Sequence, residues 1–96
     1  MNLHVVAVFT FKESDVFDGL ELLKKLVIAT RKEAGCLQYD VVEDREIIGK
    51  VFLVELWETD EHHYNHGKQE HLSDFRRDVQ HFLKSSTEVY RGFKIF

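Results

Sequence analysis

Four of the six histidines, His62, His63, His66 and His71, fall in one short run that follows Glu55-Leu56-Trp57. Imidazole is the side chain whose ordinary pKa lies closest to neutrality, so a cluster of this kind suits proton transfer to and from a small molecule. Glu55 adds a carboxylate to an otherwise apolar stretch, and a buried carboxylate has two uses. It is held in an ion pair with Lys or Arg, which is the expectation here, or it is tuned by burial for proton transfer. His62 and His66 stand four apart, a spacing that lets two imidazoles on one helical turn reach one zinc or iron ion, with His71 or Glu58 as a third ligand. No His-Glu-x-x-His arrangement and no cysteine ligand accompany them, so the histidines are read as acid–base groups and no metal site is expected. Cys36, the one cysteine, follows Gly35 at the start of a strand-like run and reads as a small buried hydrophobe.

These residues need elements to hold them. Residues 3–11 alternate, with Leu3, Val5, Ala7, Phe9 and Phe11 on one face and His4, Val6, Val8 and Thr10 on the other. Ser14 or Asp15 suits a helix N-cap. From Val16 to Lys32 the period turns helical, with Val16, Leu20, Leu23, Val27 and Thr30 as the apolar stripe and Gly35 as the expected left-handed terminator. Cys36 to Glu43 and Val51 to Glu58 read as strands joined by a hairpin over Asp44 to Gly49. Thr59 or Asp60 caps a helix that comes in two pieces, Glu61 to His66 and about His71 to Lys84, interrupted at Gly67. Leu72, Phe75, Val79 and Phe82 form the stripe of the second piece. Thr87 to Phe96 completes the set as a fourth strand.

The order β-α-β-β-α-β implies an α+β, ferredoxin-like fold: a four-stranded antiparallel sheet with both helices on one face. The first and third strands are apolar on both faces, and two helices cover only one. A second copy of the chain is the simplest cover for the other, which predicts a homodimer with sheets packed face to face.

Composition narrows the function classes. The 96 residues suit a single domain over 1–96, and a 44% hydrophobic content is that of a folded chain. A net charge of −4 with no cluster of Lys and Arg speaks against nucleic acid as a partner. No apolar run approaches a membrane span. The N-terminal Met-Asn-Leu-His has no basic leader and runs straight into a strand pattern, so no cleaved signal is expected. A single cysteine forbids an intramolecular disulfide and fits a reducing cytoplasm.

Two motifs carry a resemblance. Glu33-Ala34-Gly35-Cys36 stands at the end of the first helix. Glu55-Leu56-Trp57 closes the third strand, followed by His66 nine residues later and by His71-Leu72 five after that. Together they resemble the antibiotic biosynthesis monooxygenase superfamily of dimeric α+β barrels, whose pattern is Glu-Pro-Gly-Cys, Glu-x-Trp, His and then His-Phe or His-Tyr. Ala34 replaces the proline, and Leu72 replaces the aromatic. The resemblance implies a cofactor-independent monooxygenase acting on a quinol, phenol or related small carbonyl compound. His71 would be the general base with His66 its partner, and Trp57, Tyr39, Glu55 and Phe75 would line the substrate site. Such a reaction needs a base near neutral pKa and an apolar, aromatic-walled cavity. The same superfamily includes isomerases of small, sometimes phosphorylated, sugar-derived ketones, for which His71 with His66 or Glu55 would serve equally. A non-catalytic dimeric binding module is the third reading. The haem-degrading branch fits poorly, with no Asn in the first strand and no histidine at 76–78.

Overall fold

Alternation places Leu3, Val5, Ala7 and Phe9 on one face of β1 (Leu3–Thr10), and all four are buried in the computed structural model, which describes residues 1–96. β2 (Cys36–Glu43) and β3 (Lys50–Trp57) form the expected hairpin. Its turn is closed by the Asp44 carboxylate, which accepts the backbone N–H groups of Glu46 and Ile47 at 3.0 and 2.7 Å, and by Gly49 at φ 86°. With β4 (Glu88–Gly92) the strands form one antiparallel sheet in the order β2-β3-β1-β4.

α1 (Val16–Thr30) and α3 (Glu70–Val79) cover one face. Leu23, Leu26 and Val27 from α1 and Leu72, Phe75 and Val79 from α3 close over Val5, Ala7, Phe9, Val51 and Leu53 in one core cluster. The short α2 (Asp60–His66) bridges the end of β3 to α3, and Thr59 caps it by accepting the His62 N–H at 3.1 Å. The result is the ferredoxin-like α+β architecture that the order of elements implied. On the opposite face Val6, Phe52, Val54 and Leu56 are half-buried with no helix above them. No helix is long and apolar enough to cross a membrane.

Five details differ from the sequence expectation, the last of them at Gly35. The buried stripe of α1 is Gly19, Leu23, Leu26, Val27 and Thr30, with Leu20 exposed. Helix α1 is rolled toward Gly19 because the Phe11 ring lies where a side chain at that position would stand. α1 stops at Thr30, not Lys32, and the N–H groups of Lys32 and Glu33 bond three residues back, tightening the exit. α3 ends at Val79 in a single 3-10 turn over Gln80–Phe82, short of Lys84. β4 ends at Gly92, not Phe96, because its partner runs out: Gly92 pairs with His4, and β1 begins one residue earlier.

Gly35 does not cap α1 directly. It sits five residues beyond the helix at φ 78°, turning the chain into β2, and its carbonyl accepts the Glu58 N–H at 2.8 Å. A Cβ there would collide with the His62 ring. Gly35→Ala is therefore expected to cost on the order of 2–3 kcal/mol, combining positive φ with a clash. Urea denaturation at pH 7 measures it, and a loss below about 0.5 kcal/mol would contradict this account of the turn.

Candidate functional site

The turn after α1, the end of α2 and the start of α3 bring three side chains to one point. Glu33 Oε2 lies 2.7 Å from His66 Nδ1 and 2.7 Å from His71 Nε2. An oxygen that accepts two N–H groups carries no proton itself. The neutral His66 ring then holds its proton on Nδ1, leaving Nε2 as an acceptor. That nitrogen faces the Tyr39 hydroxyl at 3.3 Å, and Tyr39 donates to it. His66 is 3% exposed, and its ring packs on the indole of Trp57 with centroids 4.8 Å apart. His71 keeps 28% of its side chain in contact with solvent.

A second polar pair stands on β3. Trp57 Nε1 donates to Glu55 Oε1 at 2.9 Å, and His63 Nε2 lies 4.0 Å from the same oxygen. The Lys or Arg partner expected for Glu55 is not there; the indole takes its place, because β3 alternation puts Glu55 and Trp57 two apart on the helix-covered face.

Between sheet and α3 lies a cavity of about 320 Å³. Tyr39, Glu55, His63 and His66 supply its polar wall, and core side chains such as Phe9, Leu72 and Phe75 supply the rest. Burial dominates the acid–base state of this wall. It pushes Glu55 up to about 7, with the Glu33 charge adding to the rise and the Trp57 hydrogen bond opposing it. Burial also raises the Tyr39 phenol well above its ordinary value and lowers His63 and His66 below theirs, Glu33 partly restoring His66. Both histidines are thus held as neutral bases at neutral pH. Cys36 is pushed up to about 11, mainly by burial, and so stays a thiol.

The ligand atoms of Glu33, His66 and His71 lie within 4.8 Å of one another, a two-histidine, one-carboxylate set that can offer three donors to a transition metal. The sequence pair His62 and His66 does not converge. His62 Nδ1 is 2.7 Å from Thr59 Oγ1, and its ring covers Gly35.

The profile of the antibiotic biosynthesis monooxygenase family matches residues 2–92. The chain belongs to this family. Among solved structures, a conserved protein from Methanosarcina mazei superposes with a TM-score of 0.94 at 26% identity, covering 98% of this chain and 93% of that one. A Pseudomonas aeruginosa protein gives 0.90 at 27% identity, covering 99% and 95%. A structure described as an antibiotic biosynthesis monooxygenase gives 0.91 at 25%, covering 97% and 98%. No curated protein matches the chain.

The six residues singled out from sequence fall in three places. Tyr39, Glu55, His66 and Phe75 line the cavity. Trp57 is fully buried one layer behind it, against His66. His71 is joined to His66 only through Glu33 and is not among the lining residues. Glu33 and His63 were missed as site residues. Glu33 lay inside the Glu33-Ala34-Gly35-Cys36 motif, and that was the available signal.

The raised Glu55 carboxyl has a consequence for stability. Its folded pKa of about 7 exceeds the ordinary 4.5, so the folded state holds the extra proton between those values. Stability contributed by this group is present below about pH 4.5 and lost as pH rises to about 7. Glu55→Gln keeps the oxygen that accepts from Trp57 and removes the titration. Relative to the wild type it is expected to gain on the order of 2 kcal/mol between pH 5 and pH 8. Denaturation curves of both proteins at the two pH values measure the gain, and an equal difference at both would contradict the shifted carboxyl.

Proposed function

We propose that the protein is a cofactor-independent monooxygenase that oxidises a one-ring quinol or phenol with dioxygen. The observation that carries the reading is a buried imidazole, His66, whose unprotonated Nε2 accepts from the Tyr39 hydroxyl on the cavity wall while a carboxylate fixes its tautomer. His66 is the general base, with a neutral ring at working pH, and acts through Tyr39, whose phenol gives its proton to His66 Nε2 as it takes the hydroxyl proton of the bound substrate. The cavity suits a flat ring, and its volume is at the low end for ligand sites.

The reaction balances without an external reductant. The phenolate passes an electron to dioxygen, the two radicals join in a C–O bond, and the resulting ring hydroperoxide loses water as its C–H proton departs. A hydroquinone plus dioxygen thus gives a hydroxyquinone plus water, every electron coming from the substrate. Protonated His66 returns its proton through Tyr39 to the leaving oxygen. Glu55, protonated in part near pH 7, is placed to donate a hydrogen bond to a substrate oxygen from the β3 wall. His71 shares the Glu33 oxygen with His66 and so acts as a positioning residue in this reading, with Trp57 bracing the ring from behind.

The working form is a homodimer in which the uncovered sheet face, with Val6, Phe52, Val54 and Leu56, meets a second copy. Sedimentation equilibrium at micromolar concentration is expected to give twice the 11.4 kDa chain mass. A stable monomer there would remove the dimer from the proposal.

Oxygen-electrode assays with a panel of quinols and phenols test the chemistry. His66→Ala is expected to lower kcat by about a hundredfold or more, and His71→Ala by roughly tenfold. Uptake unchanged in His66→Ala, with the fold intact by circular dichroism, would overturn the base assignment. Turnover of a ketone without oxygen would point to the isomerase chemistry instead.

A further inference from the structure

Five arginines occur in the sequence, and three meet acids: Arg31 with Asp40, Arg45 with Glu46, and Arg77 with both Asp74 and Asp78. The remaining two, Arg76 and Arg91, have no acidic partner, and both line the same open groove beside the cavity. Arg76 and His63 line the groove and the cavity alike, so the two spaces meet at these side chains. Arg76 is the one permanent cation on the cavity wall.

Local structure puts them there. On α3, Arg76 stands four residues after Leu72 and three before Val79, on the flank of the buried stripe. The nearby acids Asp74 and Asp78 are taken by Arg77, which leaves the Arg76 guanidinium without a partner on its own helix. On β4, Arg91 is opposite Val5, and Val5 is opposite Glu55. Arg91 and Glu55 therefore occupy one row on the helix-covered face, two strand spacings or roughly 10 Å apart. That span suits a single aromatic ring with a hydroxyl at one end and a short charged group at the other. Asp60, Glu61 and Lys68 also line the groove; Lys68 lies over the Tyr64 ring at 4.4 Å. The charges of Arg91 and Arg76 help to lower His63, behind burial and His66, so both fields reach the cavity mouth.

We infer that Arg76 and Arg91 form an oxyanion subsite at the mouth of the cavity, which selects a one-ring phenol or quinol bearing a carboxylate or phosphate. The ring enters between Glu55, His66 and Phe75, and the anion stays in the groove, where a guanidinium fork matches its oxygens. The inference rests on reading the cavity as a phenol site, and it makes Arg76 the specificity-determining residue.

Titration calorimetry on the full chain under nitrogen tests it without turnover. The probes are 2,5-dihydroxybenzoate, its neutral amide 2,5-dihydroxybenzamide, and 4-hydroxyphenyl phosphate. At low salt at least one anionic probe is expected to bind about tenfold or more tightly than the amide, and the tighter of the two identifies the anion. Arg76→Gln should bring that preference below about threefold by weakening the anion far more than the amide, and Arg91→Gln should reduce it by less. Neither arginine has a partner to lose, so the variants are expected to fold, and thermal melts check this. Equal binding of anions and amide to the wild type would overturn the subsite, as would a preference that survives Arg76→Gln combined with Arg91→Gln. Oxygen uptake separates the two readings. Anion preference without oxidation of any probe would leave the subsite standing and remove the monooxygenase, whereas oxidation with equal KM for acid and amide would do the reverse.

Discussion

One carboxylate oxygen holds the site together. Glu33 Oε2 accepts from the last residue of α2 and from the first turn of α3, and Glu33 itself belongs to the turn that leaves α1. α2 is seven residues long, too short to persist by its own hydrogen bonds. Thr59 fixes its beginning, and the His66–Glu33 contact fixes its end. Once His66 is fixed, the Trp57 indole can pack against it, the Tyr39 hydroxyl has an acceptor, and Nε2 has a defined direction. Loss of Glu33 would release two imidazoles at once and leave His66, nearly without solvent, short of a partner.

The two carboxylates of the region live under opposite conditions. Glu33 has two imidazole donors on one oxygen. Glu55 has a single indole donor and is almost wholly buried, so the same chemical group is driven up to about 7. A carboxyl raised in this way beside a neutral imidazole is what acid–base chemistry requires. Here the difference is set by the fold. β3 alternation delivers Glu55 to the core face between Leu53 and Trp57, while Glu33 lies in an irregular turn where helix ends can reach it. Tyr39, Leu72 and Phe75 belong to the core cluster and to the cavity wall together, so the packing that stabilises the fold also fixes the shape of the site.

What the sequence made legible follows from which signals are periodic. β1, β2 and β3 came within about a residue of their observed ends because their alternation is regular and bounded by polar turns. Gly67 marked the break between α2 and α3. The phase of α1 differs from its apolar pattern by part of a turn, since Leu20 and Leu26 are equally apolar and only the Phe11 ring over Gly19 decides which is buried. β4 is shorter than its own residues suggest because the limit on its length lies in β1. Glu33 stood out least as a site residue: its partners are 33 and 38 residues away, and no local spacing connects them. Nor could spacing sort the histidines of α2. His62 turns to Thr59 and Gly35, His63 to Glu55, and His66 to Glu33, three destinations supplied by three different parts of the chain.

The break just after Gly67, at Gln69, is what makes the convergence possible. In an unbroken helix His66 and His71, five residues apart, would project roughly 140° from each other and could not share an acceptor. The chain instead leaves helical geometry, with Gln69 extended at ψ 142°, and restarts at Glu70 along a new direction. Two N–H bonds, from Lys68 and Gln69 to the carbonyls three residues back, carry the backbone through this corner. α3 can then lay Leu72, Phe75 and Val79 on the sheet while its first turn points His71 back at Glu33. A helix interruption, ordinarily a cost in stability, thus serves two geometric demands that a straight helix could not meet together. It lets α3 cover the core, and it joins the solvent-touching His71 to the buried His66 through one oxygen.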